Sequence, residues 1–317
     1  MSQKTKRRVI MSICAAVALA IFLWVAVFAV TYYPARVRDS ANYMETLQSM
    51  TIYDNEVEDA IPQTELRNII ADHFENNNSG KDPKVLFVGY DGCQAVIPGL
   101  NFGAEDSAIT RVAQEGGMYF TYAGGAESGD QHTSTAPGWA SIFTGVWATK
   151  HGVYGNGNVL SEDTRSIIYE LGSRGFATSY SISWATHINK TYKKEVASAA
   201  ENDYPVTYYS NKDDEGTYQS MLQGIREGDD GVFGVFEYTD HAGHFYGFSI
   251  DSPQYVKVYY EAEAKGMLLI DAVEARETYE QEDWLIIITT DHGGYRRNHG
   301  GTTTLEKYTF LAINKAL

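Results

Sequence analysis

Residues 285–294 read LIIITTDHGG, an unbroken apolar and β-branched run that ends in Asp291, His292 and two glycines. A short run of this kind, closed by a glycine turn, predicts a buried strand. The same ending occurs twice more. VLFVGYD at 85–91 runs into Asp91, and VFGVFEYTD at 232–240 runs into Asp240. Further apolar runs at 119–122, 177–183 and 308–314 alternate with helical patterns at 107–114, 137–144, 165–171 and 254–279. The alternation predicts an α/β fold with a mostly parallel central sheet and helices on both faces. Ligands of open α/β sheets bind beyond the carboxyl ends of strands, so the three aspartates are expected to share one site.

The whole chain has 317 residues, 44% of them hydrophobic and 13% aromatic, which supports a real core and excludes general disorder. Its 25 Lys+Arg against 41 Asp+Glu give a net charge of −16. Such a chain is a poor binder of polymeric nucleic acid, which needs a basic face. The charge is unevenly placed. Lys4, Lys6, Arg7 and Arg8 precede VIMSICAAVALAIFLWVAVFAV at 9–30, a span with no charge and no proline.

That span is long enough to cross a hydrocarbon core of roughly 30 Å as one helix. The basic cluster is expected to stay in the cytoplasm, placing residues 31–317 outside a cell membrane crossed once. Secretion after cleavage near Val27–Phe28–Ala29 is the alternative. Residues 1–8 are then a cytoplasmic tail, 9–30 a transmembrane anchor, 31–83 a stalk with a short helix, and 84–317 the main domain. Thr64 is the expected N-cap of the short helix ELRNIIADHF. Cys14 falls inside the anchor and Cys93 far beyond it, so no disulfide is expected in the exported part.

Two stretches suggest metal chemistry. In Asp240–His–Ala–Gly–His244 an acid and an imidazole four apart are expected to fold back around Gly243 onto one ion. Asp291–His292 precedes a glycine turn, and His299, also followed by two glycines, lies seven residues beyond His292. Mixed carboxylate and imidazole sets suit Zn²⁺, with Mn²⁺ as the alternative. Two such ions stabilise both the attacking and the leaving oxygen of a phosphoryl displacement. A nucleophile is available in HTSTAPGWASIFTGVWATKHGVYGN at 132–156. Thr135 precedes Ala136–Pro137, and proline marks the first turn of a helix, whose free N–H groups favour an anionic phosphate. Metal coordination is one way of activating a threonine, and simple helix capping is the other reading of the residue.

These motifs, taken in order, resemble the alkaline phosphatase superfamily, closest to its type I phosphodiesterase/nucleotide pyrophosphatase group in a bacterial, membrane-anchored form. VGYDG, T-A-P-G-W-x-S-I-F-T-G-V with the later H-G-V-x-G-N, D-H-A-G-H-F-Y-G, and TTDHGG with HGG carry the resemblance from about Val85 to the C-terminus. The resemblance implies an alkaline phosphatase-like catalytic domain at 84–317. It implies that Asp91, Thr135, Asp291 and His292 surround one divalent ion and that Asp240, His244 and His299 surround the other. It further implies that Thr135 attacks phosphorus and that water hydrolyses the phospho-threonine. The expected function is a metal-dependent phosphodiesterase or nucleotide pyrophosphatase. A phosphomonoesterase, for which Lys150, Arg296 and Arg297 are the cations nearest in sequence, and a membrane-anchored phospho-group transferase are the alternatives.

The sequence also departs from the family pattern. Many relatives carry Asn where Gly138 stands and often Arg where Gln94 stands, and the gap from His292 to His299 is much shorter than in eukaryotic-type members. Substrate contacts are therefore expected from Gly138 through its backbone, from Asn156 and from Tyr246. Thr135 and Trp139 are incompatible with the formylglycine pattern of sulfatases. The expected partner is a small phosphate ester, either a nucleotide or a phospholipid head group, and no obligate protein partner is predicted.

Overall fold

The computed structural model describes residues 3–125 and 130–317. It divides into two units, Met1–Glu45 and Thr46–Leu317. The first unit is helical, with Gln3–Val27, a π-turn at Phe28–Tyr32, and the start of a helix at Tyr33. Phe22 and Trp24 leave 67% and 68% of their surface bare. A helix this apolar on its outside is suited to lipid rather than water. By length and composition it is able to cross a membrane, and an N-terminal signal sequence meets the same criteria.

The second unit is built on one eight-stranded sheet. Its strands are β1 (Ile61–Pro62), β2 (Asp82–Tyr90), β3 (Gly117–Tyr122), β4 (Thr178–Ile182), β5 (Val206–Ser210), β6 (Gly231–Phe236), β7 (Glu282–Thr289) and β8 (Tyr308–Ile313). Their order is β1-β3-β8-β7-β2-β6-β4-β5. All neighbours are parallel except those of β8, which runs against β3 and β7. The mostly parallel α/β architecture expected from the sequence is the observed one. Central β2 lies between β7 and β6, with Gly89 opposite Thr289 and Tyr90 opposite Phe236. Asp91, Asp240 and Asp291 therefore follow the carboxyl ends of three adjacent strands.

Both faces of β2 are covered, as its uninterrupted apolar run requires. On one face Phe87 meets Trp139 and Phe143 of the helix Thr135–Thr144, with ring centroids 6.1 and 5.1 Å apart. On the other, Tyr90 meets Tyr259 of the helix Pro253–Glu274 at 6.4 Å. Gly89 shares a face with Phe87, and a Cβ there would come within 2.4 Å of the Trp139 ring. The glycine leaves room for the edge of the indole against the strand, and the indole N–H reaches Asp91 at the end of β2.

Several expectations need correcting. The segment expected to be a stalk belongs to the folded unit from Thr46 onward. β1 pairs with β3, and the helix Glu65–Glu75 buries Leu66, Ile70, Ala71 and Phe74 in the common core. Thr64 stands at the N-cap of that helix as expected, but it is buried with helical backbone angles and its side chain makes no capping bond. β5 was not expected, because an edge strand reading VTYYS is only half-buried and lacks an apolar run. The segment after β6 is a helix, Tyr238–Tyr246, rather than a fold-back around Gly243.

Candidate functional site

Asp91 is fully buried, and three groups fix its position. Trp139 Nε1 donates to Oδ2 at 2.8 Å, Thr135 Oγ1 donates to Oδ1 at 3.4 Å, and Thr239 Oγ1 donates to its main-chain carbonyl. Thr135 is the first residue of its helix, with Ser134 at the cap in extended conformation. The sequence-level alternative, that Thr135 caps the helix, is not what the side chain does. It faces the carboxylate.

Asp291 and His292 leave β7 in a turn buttressed from two sides. Gly92 N donates to Asp291 Oδ1 at 3.3 Å, and Gln94 Nε2 donates to Gly294 O at 2.7 Å. Gln94 thus supports the turn from the place where relatives often carry Arg. His292 Nε2 lies 3.5 Å from Asp91 Oδ1 and 3.4 Å from Asp291 Oδ2. Across the site, the helix Tyr238–Tyr246 brings Asp240 and His244 to one face, as i, i+4 spacing requires. Asp240 Oδ2 is 3.4 Å from His244 Nε2, and Oδ1 is 3.4 Å from His299 Nε2.

The three imidazoles are oriented alike. Nδ1 of His244 faces Arg297 O at 3.0 Å, Nδ1 of His292 faces Gly293 O at 2.8 Å, and Nδ1 of His299 faces Thr133 O at 3.0 Å. A carbonyl only accepts, so each Nδ1 carries the proton and each Nε2 is turned inward as a potential ligand. Asp240 Oδ1, Asp291 Oδ2 and His292 Nε2 are buried without a hydrogen-bond partner among the described residues. Two groups of ligand atoms lie within 4.8 Å of one another, Asp91 with Asp291 and His292, and Asp240 with His292 and His299. His292 thus stands between the two.

The electrostatics call for positive charge. Burial, then the charge of Asp240, pushes the Asp91 carboxyl well above its ordinary range. Burial, then Asp91, does the same to Asp291. Burial also pushes Asp240 up, but the bond to His244 and the nearby imidazoles outweigh it and hold Asp240 low. The same bond lifts His244 to about 9, whereas burial and the neighbouring His299 hold His292 near 3. The residues fit divalent ions: inward nitrogens, orphaned oxygens and crowded carboxylates are all relieved by bound cations.

Of the residues expected to contact substrate, Asn156 lies beside the helix N-terminus and accepts from Ala136 N at 2.9 Å. Tyr246, the last residue of the helix Tyr238–Tyr246, is 55% exposed. Gly138 is a correction. Its N–H donates to Ser134 O at 2.8 Å, and a Cβ there would lie 2.8 Å from Asp291 Cβ. It makes room for Asp291 and offers no donor to a ligand. Glu237 was missed. Its Oε1 is buried and unpartnered, and burial followed by the charges of Asp91 and Asp240 pushes its carboxyl well up. The available signal was an acid directly at the end of an apolar strand.

A mostly parallel sheet with carboxylates and imidazoles gathered beyond its central strands is an alkaline phosphatase-like arrangement. The family described as type I phosphodiesterase / nucleotide pyrophosphatase matches residues 132–303, more than half of the chain, and the chain belongs to that family. No curated protein matches the sequence. Among solved structures, a putative sulfatase from Bacteroides thetaiotaomicron is similar in fold, with 12% identity over 74% of this chain and 65% of that one, at a TM-score of 0.51. Murine ectonucleotide pyrophosphatase/phosphodiesterase 5 is 18% identical over 66% of this chain and 57% of that one, at a TM-score of 0.46. The C-terminal periplasmic domain of EptC from Escherichia coli, a complex with Zn, is 12% identical over 75% and 73%, at 0.46. The chain thus spans a little over half the length of the murine structure it matches.

Proposed function

We propose that the protein is a metal-dependent phosphodiesterase that works through a phospho-threonine on Thr135. The observation that carries this reading is the placement of Thr135 Oγ1 at 3.4 Å from Asp91 Oδ1, on the first residue of its helix and beside the inward-facing ligand set. Asp91, Asp291 and His292 would hold one divalent ion with Thr135, and Asp240, His244 and His299 a second, most consistently Zn²⁺, with Mn²⁺ as the alternative. Bound there, the ions would supply the positive charge that neutralises the attacking and departing oxygens.

The chain's own residues do the positioning. Asp91, held by Trp139, orients the Thr135 hydroxyl, and Asn156 fixes the helix N-terminus behind it. Thr135 Oγ attacks phosphorus and gives its proton to a water, the ester oxygen departs as an alcohol by taking a proton back from water, and another water cleaves the phosphoester of Thr135, restoring the hydroxyl and releasing the phosphate monoester. The net reaction consumes one water and yields an alcohol and a phosphate monoester. The substrate is a small phosphate ester, a nucleotide or a phospholipid head group, met outside the membrane by a chain anchored through its N-terminal helix.

The test is a substrate panel. Full-length chain in detergent, with added Zn²⁺, is assayed on bis-nitrophenyl phosphate, nitrophenyl phosphate and nitrophenyl sulfate. The diester is expected to turn over fastest. A preference for the monoester by about an order of magnitude, about 1.4 kcal/mol in barrier, overturns the diester reading.

A further inference from the structure

Three buried polar side chains outside the ligand set meet on the helix that begins with Thr135. Ser141 Oγ lies 3.0 Å from His151 Nε2 and 2.9 Å from Gln131 Oε1, and the three residues are 0%, 0% and 3% exposed. A serine and a histidine at this distance look like a nucleophile and its base, but the protons run the other way. A left-handed Gly152 turns the chain after the short helix Ala148–His151, so that Val153 N donates to His151 Nδ1 at 3.0 Å. A main-chain N–H only donates, so Nδ1 is the lone pair and the neutral ring carries its proton on Nε2. Burial lowers His151 to about 4, which keeps the ring neutral near neutral pH. At the other end Ala148 N donates to Gln131 Oε1 at 3.0 Å, which marks that atom as the amide oxygen. Ser141 therefore accepts from His151 and donates to Gln131, and His151 has no nitrogen free to take its proton.

This chain of bonds bears on the placement of Thr135. An α-helix turns about 100° per residue, so Ser141, two residues after Trp139, points about 200° away from it. Trp139 Nε1 donates to Asp91 on one side of the helix, and His151 holds Ser141 on nearly the opposite side. The helix is gripped from both sides and is not free to rotate about its axis. Thr135, one turn before Trp139, shares the side of Trp139 and faces the same carboxylate. Gln131 ties the residues that lead into the helix to the same hydroxyl. The chain that follows His151 returns to the helix N-terminus, where Asn156 Oδ1 accepts from Ala136 N at 2.9 Å. One segment thus holds the helix at Ser141 and again at Ala136.

We propose that His151 is a positioning residue: its Nε2–H, through Ser141, fixes the rotation of the helix and so presents the Thr135 hydroxyl to Asp91. The inference rests on the reading of Thr135 as the nucleophile. Full-length Zn²⁺-loaded chain and its His151→Gln, His151→Asn and Ser141→Ala variants are assayed on bis-nitrophenyl phosphate. Rates are expressed per folded molecule, so that lost stability alone leaves kcat unchanged. Asparagine places its amide near Nδ1 and loses the donor to Ser141, whereas glutamine reaches the position of Nε2 and keeps one. His151→Asn and Ser141→Ala are expected to lower kcat about 100-fold with KM little changed, and His151→Gln recovers most of the loss. Equal losses in both His151 variants, or a rise in KM alone, overturn the assignment. Nitrogen NMR of histidine-labelled wild type, with the His151 signal identified by its absence from His151→Gln, is expected to show a neutral ring protonated on Nε2. The Nδ1 tautomer overturns the assignment even where the asparagine variant fails to fold. Crystal structures separate this inference from the reading it rests on. If Thr135→Ala keeps full turnover, the nucleophile reading falls. A Thr135 Oγ displaced from Asp91 in His151→Asn and restored in His151→Gln then still upholds the positioning, and an unmoved Thr135 overturns it.

Discussion

The Nε2 atoms of His244 and His299 face each other at 3.1 Å while both Nδ1 atoms face backbone carbonyls. Two inward lone pairs at that distance repel unless a proton or a cation lies between them. The spacing is close to the edge of roughly 3.3 Å that tetrahedral zinc imposes on nitrogen ligands. Zinc at a hundredfold excess over its dissociation constant is therefore expected to stabilise the metal-free full chain by about 2.7 kcal/mol. Calorimetry before and after chelation checks this, and a midpoint indifferent to both Zn²⁺ and Mn²⁺ contradicts it.

Trp139 connects the core to the chemistry, because its ring packs on Phe87 and its N–H holds Asp91. Trp139→Phe keeps most of the packing and leaves a buried carboxylate oxygen short of a donor. A loss of about 1.5–3 kcal/mol is expected in denaturant midpoints, together with about 10- to 100-fold weaker metal binding. Unchanged metal affinity would show that Asp91 needs no such support.

Gly138→Asn restores the residue many relatives carry, yet the space above Gly138 belongs to Asp291. The substitution is expected to displace Asp291 and lower both metal affinity and turnover, measured by metal titration and steady-state rates. An asparagine that increases turnover would contradict the packing.

Without metal, stability is expected to fall as pH rises from about 6.5 to about 9. His244 is raised in the folded state, so its contribution is complete below the ordinary histidine value and lost as pH passes its folded value. Asp91 and Asp291 are raised as well and act in the same direction. The depressed His292 and His299 act oppositely and only below the ordinary histidine value. Saturating Zn²⁺ should flatten or reverse the decline, because binding favours deprotonated ligands. Thermal melts of wild type and His244→Gln across this range check it, and a metal-free midpoint that rises with pH refutes it.

The legible parts of this protein share a physical cause. Strands buried on both faces, such as Val85–Tyr90 and Leu285–Thr289, must be apolar throughout, so their ends and the aspartates beyond them are visible in sequence. β5 at the sheet edge and the helix Asp214–Glu227 carry weaker patterns, because one side of each meets water. The metal-ligand candidates lay in short motifs, and the structure brings all seven together. The supporting residues did not stand out. The N–H of Trp139 and the carbonyls of Thr133, Gly293 and Arg297 act through contacts no local pattern encodes, whereas Glu237 stood at the end of an apolar strand and was passed over. Gly138 was misread because its neighbour Asp291 is distant in sequence.

The central claim is that Thr135 is the nucleophile. Zn²⁺-loaded full-length chain, quenched in acid during turnover of bis-nitrophenyl phosphate, should carry one nitrophenyl-phosphoryl group, located on Thr135 by mass spectrometry and missing in Thr135→Ala. A phosphoryl group elsewhere, or undiminished turnover by Thr135→Ala, would contradict the account.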